Sequence, residues 1–133
     1  MIQALIFDVF GTCVDWRTSV AREVAKALPS TDPVAFAVAW RDEYQPAMER
    51  IRAGNRGYVP LDDLHLENLR IVQERFGLTC SDPEQLNRAW EKLDPWPDVV
   101  TGLTALKERF ITAPCSNGSF ALMTRLAKYG GLP

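Results

Sequence analysis

The chain has 133 residues, a formal net charge of −2 and 47% hydrophobic residues, the profile of an ordinary globular protein. Near-balanced charge without a basic run excludes a nucleic-acid footprint, and no apolar run approaches the ~20 residues of a membrane span. An anionic substrate would therefore be held by one or two placed cations, not by a general field.

The first residues, Met1 to Asp8, carry no basic region ahead of a long apolar stretch, so no signal peptide is expected. Three cysteines (Cys13, Cys80, Cys115) are odd in number and lack zinc spacing. They read as small buried residues in a reducing cytoplasm.

Residues 2–7 form a short apolar run ending at Asp8 and then Gly11-Thr12, the pattern of a buried parallel strand feeding a loop. Val20, Val24 and Leu28, spaced by four, predict a helix over 18–28. Asp32-Pro33 supplies an N-cap with proline at the first helical position. Phe36, Trp40 and Tyr44 then repeat on one face, and Pro46 should kink or shorten that helix. A third helix is expected over 61–76 with Gly77 as its stop. A fourth starts at Asp82-Pro83 and carries Leu86, Trp90 and Leu93. Residues 94–98, Asp-Pro-Trp-Pro-Asp, read as a stiff linker. A helix with Leu103 and Leu106 leads to a second strand-like run, 110–114, ending at Cys115-Ser116-Asn117-Gly118. A last helix carries Leu122 and Leu126, with Gly130-Gly131 after it.

Length alone suggests one domain, yet this order is a strand, four helices, a helix, a strand and a helix. The simplest arrangement makes the two strands parallel neighbours with the helices inserted between them. Parallel sheets need cover on both faces and are seldom two strands wide, so further core elements are expected after Pro133.

An aspartate at the carboxyl end of a strand stands where open α/β sheets place ligands. Gly11 permits a tight turn, and loop amides there can face an anion. Asp8 capping a helix or turn is the plainer alternative. Ser116-Asn117-Gly118 lies at the second strand end, facing the same crevice if the strands are adjacent, although the tripeptide is also common turn chemistry.

The segment Asp8-Val9-Phe10-Gly11-Thr12 resembles the first motif of the haloacid dehalogenase superfamily, and Ser116-Asn117-Gly118 its second. Trp40-Arg41 resembles a pair in that superfamily's type II 2-haloacid dehalogenases. The resemblance implies an α/β, Rossmann-like core with an inserted helical cap: core over 1–14, cap over 15–96, core again over 97–133. The core would be incomplete, because family members continue for roughly another hundred residues, which supply a lysine near the nucleophile and a fourth-motif loop. Lys128 follows Ser116 too soon to be that lysine. The isolated 133-residue chain is accordingly expected to aggregate and to be inactive, and a non-catalytic fragment is the reading from a different class.

The resemblance also assigns roles. Asp8 is the nucleophile, oriented by Thr12. Arg41 and Asn117 receive the halide, and Ser116 with loop amides holds the substrate carboxylate. Val9, Phe10, Trp40 and Tyr44 would bind substrate. Phosphatases of the superfamily carry an acid where this chain has Phe10. Halide leaves without a proton, so Phe10 favours carbon–halogen cleavage over a magnesium-dependent phosphatase. The expected chemistry is hydrolysis of small 2-haloalkanoic acids to 2-hydroxy acids through an ester on Asp8, with no metal or other cofactor. The partners are the anionic substrate and the halide product, without nucleic acid or membrane, and a homodimer is left open. Bland readings stand beside several of these. Arg41 is otherwise a solvated arginine near Glu43 or Glu49, Thr12 a turn residue, Trp40 and Tyr44 core aromatics. The single histidine, His65, is expected to be structural or exposed.

Overall fold

Caps and breaks divide the chain into short elements. The computed structural model describes Met1–Pro133. In order it forms β1 (Ala4–Phe7), β2 (Val14–Asp15), α1 (Trp16–Ala27), α2 (Pro33–Asp42), α3 (Tyr44–Arg52), α4 (Leu61–Phe76) and α5 (Pro83–Asn87). A 3-10 turn (Arg88–Glu91) follows, then β3 (Asp94–Pro95), α6 (Val99–Lys107), β4 (Ile111–Pro114) and α7 (Phe120–Gly130). Helix starts are fixed by side-chain oxygens that accept otherwise unpaired amides. Asp15 accepts from Thr18 N, Asp32 from Val34 N and Ala35 N, Asp82 from Gln85 N, and Ser119 from Leu122 N. Gly77 ends α4 with φ 64°, left-handed geometry that glycine adopts without a Cβ clash.

β1 and β4 pair in parallel, Ala4 opposite Ile111 and Phe7 opposite Pro114. Their carboxyl ends therefore lie side by side. The two short strands β2 and β3 pair antiparallel, Val14 opposite Pro95 and Asp15 opposite Asp94. They bring the start and the return of the helical stretch together.

Three sequence expectations are corrected in detail. The helix with Phe36 and Tyr44 breaks at Glu43, between α2 and α3. Pro46 is the third residue of α3, within the first turn, where its missing amide removes no intrahelical bond. The fourth helix is only Pro83–Asn87 and tightens into the 3-10 turn that carries Trp90. The linker begins with a two-residue strand. The two-stranded sheet of β1 and β4 is open on one face, where Ile6 and Ile111 are each 70% exposed and α6 buries no residue; cover for such a sheet was expected from further core elements. A strand's period of two gives each face half of the side chains. Phe7 packs on the core and Ile6 points away from it.

The main core lies among the helices. Val20, Val24, Phe36, Trp40, Leu69, Val72, Trp90 and Leu93 form one cluster with Leu122 and Leu126 of α7. Full burial of each large apolar side chain contributes about 1.5–3 kcal/mol. Trp90 is its hub, with ring contacts to Phe10, Trp16, Trp40 and His65. A smaller cluster of Ala47, Leu61 and Leu64 joins α3 to α4.

Arg22 ties the return of the chain to α1 and α7. It pairs with Asp94, donates to the Lys92 carbonyl at 2.9 Å and reaches the Tyr129 hydroxyl at 3.0 Å. The buried Ser19 hydroxyl accepts the Asp94 amide at 2.9 Å. No helix is long and apolar enough to cross a membrane.

Candidate active site

The loop after β1 is wound by its own backbone. Cys13 N and Val14 N both donate to the Val9 carbonyl, and Gly11 N donates to the Val14 carbonyl. This turn needs φ +96° at Gly11, a region costly to L side chains. The Trp96 indole caps the loop, donating to the Gly11 carbonyl at 3.1 Å.

The turn returns Thr12 to Asp8. The threonine hydroxyl donates to Asp8 Oδ2 at 2.6 Å, fixing one carboxylate oxygen and leaving Oδ1 available. The Cys13 thiol donates to the Asp8 backbone carbonyl at 3.2 Å. Burial, then the Asp8 charge, pushes that thiol above its ordinary pKa, so it stays protonated beside the carboxylate.

The second strand end is held by the Cys115 amide, which donates to the Phe7 carbonyl at 2.7 Å. Ser116 and Asn117 thus lie on the same edge as Asp8. The Ser116 hydroxyl accepts from Gly118 N at 3.3 Å. Asn117 Nδ2 donates to the Tyr44 hydroxyl at 2.6 Å, linking this edge to α3.

Arg41 arrives from the end of α2. Its guanidinium carbon stands 4.5 Å from the Tyr44 ring centroid and 6.0 Å from that of Trp16, within cation–π range. The nearby carboxylates are engaged elsewhere, Glu43 with Arg75 and Glu49 with Arg52. The guanidinium therefore sits on aromatic faces with its donor fork free of carboxylates.

These groups enclose a cavity of about 300 Å³ lined by Asp8, Phe10, Arg41, Tyr44, Leu61, His65, Trp90, Cys115, Ser116 and Asn117. Seven of the nine residues singled out from the sequence bear on it: six line the wall, and Thr12 holds Asp8. The other two do not. Val9 points into the core. Trp40 is buried behind the wall, its indole nitrogen donating to the His65 carbonyl at 2.8 Å.

Sequence reasoning missed His65 and Trp90 as lining residues. His65 is 5% exposed and stacks on Trp90 with centroids 4.7 Å apart. Burial, and then the Arg41 charge, lowers its pKa to about 3, so its imidazole is neutral near pH 7. The available signal was spacing: His65 follows Leu61 by four residues, which places both on one helix face. No group of three His, Cys, Asp or Glu side chains gathers as a metal-binding set.

Parallel strand ends carrying an aspartate and a Ser-Asn-Gly turn, beneath inserted helices, define a carboxylate-centred site at the strand ends of an α/β sheet. The chain belongs to the haloacid dehalogenase-like hydrolase family, whose model matches residues 2–132. Relatives found within it include 2-haloacid dehalogenases. The (S)-2-haloacid dehalogenase 1 of Pseudomonas sp. (strain CBS-3) is 29% identical over 135 residues, spanning 98% of this chain and 58% of the relative. The crystal structure of the defluorinating L-2-haloacid dehalogenase Rha0230 is 45% identical with a TM-score of 0.95, covering 99% of this chain and 58% of that one. The L-2-haloacid dehalogenase from Xanthobacter autotrophicus with chloropropionic acid covalently bound is 26% identical, with a TM-score of 0.87 over 99% of this chain and 53% of that one. The chain thus spans little more than half the length of the relatives it matches.

Proposed function

We propose that the full-length protein is a hydrolytic 2-haloacid dehalogenase acting on small (S)-2-haloalkanoic acids. The observation that carries this is that one cavity is lined both by Asp8, held by Thr12, and by an Arg41 free of carboxylate partners. Asp8 Oδ1 forms a bond to the carbon bearing halogen, and the carbon–halogen electron pair leaves with the halide. Water then adds at the Asp8 carboxyl carbon. The 2-hydroxy acid departs with the former aspartyl oxygen, one water proton goes to its hydroxyl and one to solvent. Covalent catalysis of this kind divides a hard displacement into two easier steps. Aligning nucleophile and carbon can supply up to roughly 7–11 kcal/mol of the first barrier.

Arg41 and Asn117 receive the halide in this reading. Guanidinium is weakly hydrated and suits a half-buried anion. An amide has two N–H donors, and Tyr44 occupies one of those on Asn117, leaving the other. Ser116 and neighbouring amides hold the carboxylate. Phe10 provides apolar wall where a phosphatase would need an acid. The segment 15–96 acts as a cap over core segments 1–14 and 97–133. Three free cysteines, two of them buried, suit a reducing cytoplasm. The covalent complex in the Xanthobacter relative supports an ester intermediate.

The test is a single turnover of the full-length protein in heavy-oxygen water. Label is expected in the Asp8 side chain, and Asp8→Asn should abolish turnover. Label confined to the product would mean direct attack by water and would overturn the covalent mechanism.

A further inference from the structure

We propose that His65 is a third hydrogen-bond donor to the departing halide, and that it tunes the enzyme towards the smaller, more strongly accepting halides. This rests on the dehalogenase reading above and adds a specificity-determining residue to it.

Three observations converge. His65 is 95% buried in a wall it shares with Arg41 and Asn117. Its ring has no hydrogen-bond partner in the protein; beyond its helix the residue is held by the bond its carbonyl accepts from Trp40. The sealed, unpaired polar side-chain atoms belong to Asn68, Asn87 and Trp90, not to His65, whose ring instead opens onto the cavity. A buried imidazole without a partner costs free energy unless something in the site completes it.

The ring's chemistry selects what completes it. Arg41 lines the same cavity, and its charge opposes protonation of His65. A neutral imidazole carries one N–H and one acceptor nitrogen. With no protein acceptor holding that proton, the tautomer that donates into the cavity is free to form. A base with its pKa lowered this far is poorly matched to activating water near pH 7, which argues against a general-base role. Donation to an anion held by Arg41 satisfies the ring and adds no second buried charge. The stack on Trp90 holds the plane of the ring in which that donor lies. As the carbon–halogen bond breaks, charge grows on the halogen and the bond to His65 strengthens. Fluoride accepts hydrogen bonds more strongly than chloride, and chloride more strongly than bromide, so the gain follows that order.

The experiment compares kcat/KM for 2-fluoro-, 2-chloro- and 2-bromopropionate in the full-length protein, its His65→Leu and its His65→Gln variants. His65→Leu should lose roughly ten- to a hundredfold on the best-accepting halide that wild type turns over, the range for one hydrogen bond to a charged group. The loss on bromide should be several-fold smaller, and the donor-bearing His65→Gln should restore much of the ratio. Chloride titrated against indole fluorescence gives a readout independent of turnover, and His65→Leu should weaken it at least several-fold. An equal loss across halides, or unchanged chloride binding in a folded His65→Leu, would overturn the role of His65 while leaving the dehalogenase reading intact. Wild-type protein that turns over none of the three acids would overturn that reading, and this inference with it.

Discussion

Replacing Trp40 by phenylalanine separates a scaffold from a cavity wall. The substitution removes the indole donor that meets the His65 carbonyl at 2.8 Å and half of a bicyclic ring buried against Trp90. A net buried hydrogen bond is worth about 0.5–1.5 kcal/mol. The lost ring atoms add about 1–2 kcal/mol in transfer and cavity terms, below the 3–5 kcal/mol of a full Trp→Ala truncation. Together the loss is about 2–3 kcal/mol, a large share of a typical margin of 5–15 kcal/mol. Urea unfolding of full-length wild type and variant, read as a shift of midpoint at constant slope, measures it. Because Trp40 stands behind Arg41 and His65, kcat should fall as those groups loosen while KM stays within about twofold. A stability change under 0.5 kcal/mol, or a KM rise with kcat preserved, would refute the buried placement.

Three further outcomes follow from the site. His65 has its folded pKa lowered from 6.5 to about 3, so below pH 6.5 the unfolded chain takes up a proton that the native state refuses. Stability is fully present above pH 6.5 and falls by about 2 kcal/mol by pH 5; His65→Gln should lose this slope, and parallel wild-type and variant curves would contradict it. Thr12→Val, which deletes the bond to Asp8 Oδ2, should lower kcat roughly ten- to a hundredfold, with Thr12→Ser recovering most of it in steady-state assays. Because Phe10 leaves no acid for an alkoxide leaving group, chelator should not alter 2-chloropropionate hydrolysis; robust magnesium-dependent hydrolysis of phosphate esters would assign the protein to the phosphatases instead.

What could be read in the sequence was what neighbours along the chain determine. The Asp8–Thr12 contact closes within four residues, and the caps at Asp32, Asp82 and Gly77 are local backbone chemistry. Placing Arg41, Tyr44 and Asn117 around one cavity needed the family resemblance, because those contacts close over long stretches of chain. Trp40 takes the core alternative and His65's place in the wall was missed, because a helix face does not say which side of a wall it forms. Their positions depend on how α2 packs on α4, and the same packing places Trp90 among four aromatic rings. The open face of the β1–β4 pair was legible, since a two-stranded parallel sheet needs cover from elements additional to its own strands. Ile6 and Ile111, apolar residues on that face, mark where the additional cover would pack.

The short pairing of Val14-Asp15 with Asp94-Pro95 has a consequence for how this architecture tolerates change in length. Residues opposite one another in such a ladder lie roughly 4.5–5.5 Å apart, so the long stretch between them begins and ends at nearly one point. To the rest of the polymer that stretch counts as little more than a tight turn. Doubling a closed segment adds only about 0.6 kcal/mol of closure entropy. Whole helices can be lengthened, shortened or exchanged there without altering the distance from Asp8 to Ser116. The clamp of Arg22 on Asp94 and Tyr129 is what such grafts would have to preserve, since it secures the seam through which both ends of the graft must pass.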